Sequence, residues 1–370
     1  MLIPVLLAFS LAASAAPEAR VPLAPASSGA PNFVRALHQL PKAIKPMQEL
    51  FDAVVYQGAI EPEVKLAMGL RVGRIYGSPY LVAQMERRLK STPRGTALLA
   101  KAPNEAPAAL ALTYVDKLTK DIHGVTDADF RQVRTHFNDS QVVELTIATC
   151  FFNYLVRFAE AFRLPLEGDT AIDAGSRVEL PAARIGLISN AEIAAVEAMQ
   201  RRNREQPSPL GIGFANSMRA MLRSPVAGSA WMAYGSAVRE YAAVDRTLKL
   251  HISFAVSMAN GCRYCTLHQV QGLRRQGVAI AKLVAMKKDD SALSPRELVA
   301  VQFARKLTEA PATITDADYD RLKAEFGEQG AMEVVLQTCS FAYMNRFTDG
   351  LRLPSEDEAI QTYKEVYGGN

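Results

Sequence analysis

Residues 149–167, TCFFNYLVRFAEAFRLPLE, return 189 positions later as residues 338–356, TCSFAYMNRFTDGLRLPSE. The same shift carries Lys117-Leu118-Thr119 onto Lys306-Leu307-Thr308, and Thr126-Asp127-Ala128-Asp129 onto Thr315-Asp316-Ala317-Asp318. Nearer the N-terminus the shift is 184: VRALHQLPKAIKPM at 34–47 meets MRAMLRSPVAGSAW at 218–231, anchored on Pro41 and Pro225. Residues 60–81 fall on 244–265 by the same shift. A match that keeps its order over so much of the chain reads as a tandem duplication.

Each copy reads as nearly all helix. In LKLHISFAVSMA at 248–259, Leu248, Ile252, Ala255 and Ala259 recur at helical spacing. Thr126 and Thr315 each precede acidic residues and a helical stretch, as N-caps do. Alternating β-branched runs and hairpin turns are scarce, so the expected class is all-α. The boundaries expected are a secretory leader over 1–15, a Pro/Ala/Ser-rich linker over 16–30, one unit over 31–180 and a second over 184–370. The leader has an apolar stretch and an A-x-A site at Ala13-Ser14-Ala15, although no Lys or Arg precedes it. Export would place the chain in an oxidising periplasmic or extracellular space; without it the chain would be cytoplasmic. An amphipathic helix over 188–206 is expected to join the copies.

With 370 residues, 49% hydrophobic and 22% charged, the chain has enough apolar material for a large core. Its net charge of +4 is dispersed, which argues against nucleic acid as a partner, and past the leader no unbroken apolar run suggests a membrane span.

Chemistry concentrates in residues 260–277, NGCRYCTLHQVQGLRRQG. Cys262 and Cys265 are spaced to share one helix face, where they can close a disulfide or share a proton. Asn260-Gly261 reads as a turn that places Cys262 at the helix start, where free N–H groups and the helix dipole favour a thiolate. Arg274, Arg275 and Gly277 read as the helix end. In the first copy Cys262 falls on Ser78, Cys265 on Leu81 and His268 on Gln84, so thiol chemistry belongs to the second copy alone. Ser78-Pro79 has the form of an N-cap and first helical turn. The bare residues also allow a structural disulfide, or a zinc site short of a fourth ligand.

The order V-D-x-x-L-K, N-G-C-x-Y-C-x-x-H, S-P-R-E, T-D-A-D and F-x-x-x-x-R-F resembles the carboxymuconolactone decarboxylase superfamily, in particular its alkylhydroperoxidase AhpD-like, peroxidase-related branch. The resemblance implies an all-helical fold, homo-oligomers built from such units, no metal or organic cofactor, and reduction of hydroperoxides with an external dithiol as reductant. It makes Cys265 the peroxidatic thiol and Cys262 the resolving one. The branch's relay glutamate, twelve residues before the first cysteine, is replaced by Leu250, and its histidine by Gln269. His251 and His268 stand one step from those positions, and His268 lies about 60° round the helix from Cys265. His268 is therefore the third candidate site residue. The acids weighed as replacements are Glu240 and Asp245, which precede the helix, and Glu333, which comes from a later one.

Two other functions fit the family or the residues: a lactone decarboxylase or isomerase that needs no thiol, and a binding or assembly module with a stapling disulfide. His251, within an apolar helix, reads as a core histidine. Cys150 and Cys339 read as buried core thiols, and Tyr154 and Tyr343 as core aromatics with a polar tip. Arg157 and Arg346 are expected to tie helices together through Glu144 and Glu333.

Overall fold

The computed structural model describes residues 19–21, 31–100, 103, 105–166 and 215–368. The expected leader, most of the 16–30 linker and the joining helix over 188–206 lie outside them. The described residues contain helices and turns and no strand, so the chain is all-α.

The first half runs α1 (Asn32–Arg35), α2 (Pro41–Val55), α3 (Pro62–Tyr76), α4 (Pro79–Lys90), α5 (Pro93–Ala100), α6 (Ala106–Lys120), α7 (Asp127–Arg134) and α8 (Asp139–Phe162). The second runs α9 (Asn216–Met221), α10 (Pro225–Arg239), α11 (Arg246–Ala259), α12 (Arg263–Arg275), α13 (Ile280–Lys288), α14 (Pro295–Glu309), α15 (Asp316–Gly350) and α16 (Asp357–Tyr367). Helix α15 is broken at Gly327, where φ is +68° and ψ 178°, a backbone conformation that suits glycine. Its two limbs correspond in sequence to α7 and α8.

Local signals explain the helix starts. Thr126 accepts the Asp129 N–H while Asp129 accepts the Thr126 N–H, and Thr315 and Asp318 build the same capping box on α15. In each half a lysine joins that acid: Lys117 lies 2.7 Å from Asp129 and Lys306 2.6 Å from Asp318.

Matching contacts recur deeper in the fold. Glu144 accepts the N–H groups of Ala59 and Ile60 and pairs with Lys65 at 2.7 Å. Glu333 accepts those of Ala243 and Val244 and pairs with Lys249 at 2.8 Å. Both carboxylates are buried, and burial pulls the Lys65 ammonium below its ordinary range. Each acid thereby fixes the chain entering a helix to the first turns of a long core helix, or of its second limb.

The expected link from Arg157 and Arg346 to these acids is therefore corrected. Lysine already occupies each carboxylate. Arg157 donates instead to the Thr308 carbonyl and the Tyr76 hydroxyl, and Arg346 donates to the same hydroxyl at 2.9 Å. One tyrosine from α3 thus receives an arginine from each long helix.

Those helices, α8 and the second limb of α15, pack on each other, and α2 packs on α10. Trp231 stacks on Tyr343 with ring centroids 3.7 Å apart and planes 7° from parallel. Tyr154 meets the Tyr234 hydroxyl at 2.6 Å. A single apolar core takes in residues of both halves, and a smaller one lies under α13 and α16. Cys150 and Cys339 are buried in the main core as expected, and burial pushes both thiols well above the usual range. Helix α8 is long and apolar enough to span a bilayer, yet its most apolar stretch is 100% buried within the protein, as befits a core helix.

Replacing Lys65 with alanine should lower the unfolding free energy by about 3–5 kcal/mol, because Glu144 would stay buried without its counter-charge. Chemical denaturation measures this. A loss below about 1 kcal/mol would mean that the two backbone N–H donors satisfy the carboxylate on their own.

Candidate functional site

The site is built where α11 turns into α12. Helix α11 ends at Ala259, Gly261 takes φ +68°, and the chain re-enters helix at Arg263. Cys262 is the N-cap, its sulfur accepting the Cys265 N–H at 3.3 Å. Ser78 caps α4 in the same way, through the Leu81 N–H. At the far end α12 closes at Arg275 before Gly277, whose φ is +79°.

Both cysteines are free thiols, and the pair approaches to 3.2 Å. Cys265 keeps 3% of its surface exposed and Cys262 none. The end of α15 lies across them. The Thr348 hydroxyl is 3.3 Å from the Cys262 sulfur and 3.4 Å from that of Cys265, and the Cys262 thiol donates to Asp349 at 3.4 Å. The Thr348 hydroxyl also lies 3.0 Å from the Met344 carbonyl and 3.3 Å from that of Asn345, to either of which it can donate.

The thiolate expected at Cys262 from its place at a helix start is corrected by this packing. Burial pushes the Cys262 thiol well above its ordinary range, and the hydrogen bond to Cys265 and the negative charge of Asp349 push it the same way. The helix end supplies one N–H to the sulfur, and desolvation outweighs it.

His268 lies one turn further along α12. Its ring stacks on Tyr264 with centroids 4.2 Å apart. Nδ1 meets the Tyr264 carbonyl at 2.7 Å, and Nε2 meets Glu356 at 2.7 Å. Both partners are acceptors, so both contacts are hydrogen bonds only when each ring nitrogen carries a hydrogen. Glu356 also accepts the Asn216 N–H at 2.6 Å and the Tyr264 hydroxyl at 3.1 Å. Burial opposes ionisation of Glu356, but the hydrogen bonds from His268 and Asn216 prevail and hold its carboxyl below the usual range.

The structure therefore brings Cys262 and Cys265 together with Thr348 and Asp349, and His268 together with Glu356. None of the acids weighed from sequence partners His268. Glu240 pairs with Lys42, Asp245 caps α11, and Glu333 holds Lys249. His251 is fully buried with Glu297 3.0 Å from its Nδ1, and burial lowers its basicity, in keeping with a core histidine. His123, to which the sequence assigns no role, lies over Gly261: a Cβ there would stand 3.1 Å from Nε2. Among the described residues no group of three His, Cys, Asp or Glu side chains is arranged to hold a metal ion.

Because Glu356 titrates below the ordinary glutamate range, its contacts contribute stability above about pH 4.3 and lose it as the pH falls through the lower folded value. In thermal melts between about pH 6 and pH 3, the gap between the native chain and Glu356→Gln should narrow on acidification. Parallel curves would show that the carboxylate charge carries none of this stability.

No curated protein matches the chain. Two solved structures are similar to about half of it: a cysteine-to-alanine form of the debrominase Bmp8 with 2,3,4-tribromopyrrole (TM-score 0.42, 20% identity, 50% of this chain and 99% of that one) and apo Bmp8 (TM-score 0.40, 22% identity, 49% and 96%). Residues 225–306, from the start of α10 into α14 and including Cys262, Cys265 and His268, match the model of the carboxymuconolactone decarboxylase family.

Proposed function

We propose that the chain is a tandem pair of AhpD-like units in which only the second carries a redox centre, and that this centre reduces hydroperoxides through Cys265 and Cys262. The observation that carries this reading is the pair of free thiols 3.2 Å apart at the start of one helix. The lysine–glutamate pairs and capping boxes that recur at shifts of 184 and 189 support the tandem arrangement. The family match over residues 225–306 supports the family assignment of the second unit.

Exposure and charge support the roles that the resemblance implies. Cys265 is the member of the pair with any surface and meets the peroxide; Cys262, buried and held protonated, resolves. The Cys265 thiolate attacks the outer peroxide oxygen, the O–O bond breaks, and the alkoxide takes a proton to leave as an alcohol. The resulting sulfenic acid is attacked by Cys262, which forms the disulfide and releases water. Two electrons have then passed from the thiols to the peroxide. An external dithiol returns them by thiol–disulfide exchange, becoming a disulfide itself.

Two thiols should disappear from the reduced protein for each hydroperoxide consumed. Cys265→Ser should abolish peroxide consumption, whereas Cys262→Ser should consume one equivalent and stop as a sulfenic acid that a dimedone probe labels. Titration of free thiols alongside peroxide loss measures all three. Peroxide left untouched by a pair that is already oxidised and resists reduction would identify the disulfide as a staple instead.

A further inference from the structure

The resolving step needs a base. Cys262 is wholly buried, and its sulfur must lose a proton before it can attack the oxidised Cys265. Two groups touch that sulfur from α15: the Thr348 hydroxyl at 3.3 Å and the Asp349 carboxylate at 3.4 Å. Thr348, a neutral hydroxyl, touches both sulfurs without a charge to offer. The geometry points to Asp349 as the catalytic base that takes the Cys262 proton during disulfide formation. This inference rests on the thiol reading above and adds a residue that neither the C-x-x-C spacing nor His268 brings in.

The step balances without a further reactant. The Cys262 S–H bond breaks and its proton passes to the Asp349 carboxylate. The freed electron pair forms the bond to the Cys265 sulfur, and the S–O bond of the sulfenic acid breaks. The departing hydroxide takes the proton from Asp349 and leaves as water. Cys262 is oxidised, the Cys265 sulfur is reduced from the sulfenic level, and Asp349 ends as it began. The hydroperoxide consumed in the preceding step is the sole oxidant.

A second observation comes from the other half. Asp349 corresponds to Glu160 and Cys262 to Ser78, and Glu160 is hydrogen bonded to the Ser78 side chain. The scaffold thus sets an acid against the N-cap side chain of this helix twice over. Where that side chain is a hydroxyl it does not titrate near neutrality, and the contact is structural. Where it is a thiol, the same acid faces a group whose proton must leave. An acid at this position also suits the helix start, where negative charge is favoured.

The test follows single turnovers of the reduced protein with a hydroperoxide, reading peroxide loss, dimedone-trapped sulfenic acid and free thiols in the native chain, Asp349→Asn and Asp349→Glu. A parallel series replaces the peroxide with diamide, a thiol oxidant that closes the pair without a sulfenic acid. Asp349→Asn is expected to accumulate sulfenic acid after its peroxide is consumed, and to close its disulfide about a hundredfold more slowly, the range of one general base. Asp349→Glu, which installs the acid found at position 160, is expected to restore closure. Disulfide closure at the native rate in Asp349→Asn, or no recovery in Asp349→Glu, overturns the assignment. Should Asp349→Asn not fold, Asp349→Ser takes its place under the same criteria. If the native chain leaves peroxide untouched, the peroxidase reading fails, and the diamide series then decides the role of Asp349: slowed closure in Asp349→Asn sustains it and unchanged closure overturns it.

Discussion

The fold depends on one helix from each half burying itself against the other. Helix α8 and the second limb of α15 bring two fully buried arginines into an apolar core. Buried guanidinium groups are tolerable only when their hydrogens find acceptors. Tyr76 accepts a hydrogen from Arg157 and one from Arg346, and the carbonyls of Asn153 and Thr308 for Arg157 and of Ala342 for Arg346 take further ones. The stack of Trp231 on Tyr343 and the Tyr154–Tyr234 contact extend the joint to α10. The last turn of α15 carries Thr348 and Asp349, so the packing of the two halves also fixes the ceiling of the thiol site.

The two halves put the same framework to different uses. Lysine–glutamate pairs, capping boxes and the tyrosine hydroxyl that accepts a backbone N–H from the first helix of its half are kept in both. What differs lies around the helix that follows the pair. Ser78 faces Glu160 in the first half, and Cys262 faces Asp349 in the second. At the matching position before these residues, Tyr76 serves the central arginines, whereas Asn260 donates to Asn345 at 2.8 Å beside the thiols. The first half contributes structure at the joint, and also places His123 over Gly261 at the entrance to the cysteine helix.

Burial sets the chemistry of the cysteine pair more than the helix dipole does. A helix start offers a thiol one or two N–H donors, while removal from water acts on the whole charge of a thiolate. For Cys262 the second effect is larger, and Asp349 adds to it. A protonated, enclosed thiol next to a slightly exposed one is an asymmetric pair, and the proposed division into attacking and resolving sulfur rests on that asymmetry.

Much of the architecture was legible in the residues themselves. Thr126, Thr315, Ser78 and Cys262 announce helix starts through contacts reaching three residues ahead, and the apolar spacing of 248–259 announces α11. Capping and amphipathicity are short-range, so a single strand of sequence carries them. The burial of Cys150 and Cys339 was likewise readable, because both sit in long apolar helices. The partners of charged groups were not. Arg157 and Arg346 reach Tyr76 in place of Glu144 and Glu333, His268 takes Glu356, some 88 residues away, and Cys262 takes Thr348 and Asp349. These pairings join segments far apart in the chain, and a side chain's choice among several acids depends on angles between helices that no local pattern encodes. The sequence by itself determined the helices, their repetition and the place of the thiols; the tertiary structure alone decided which carboxylate each cation and thiol would face, because that choice is made by packing.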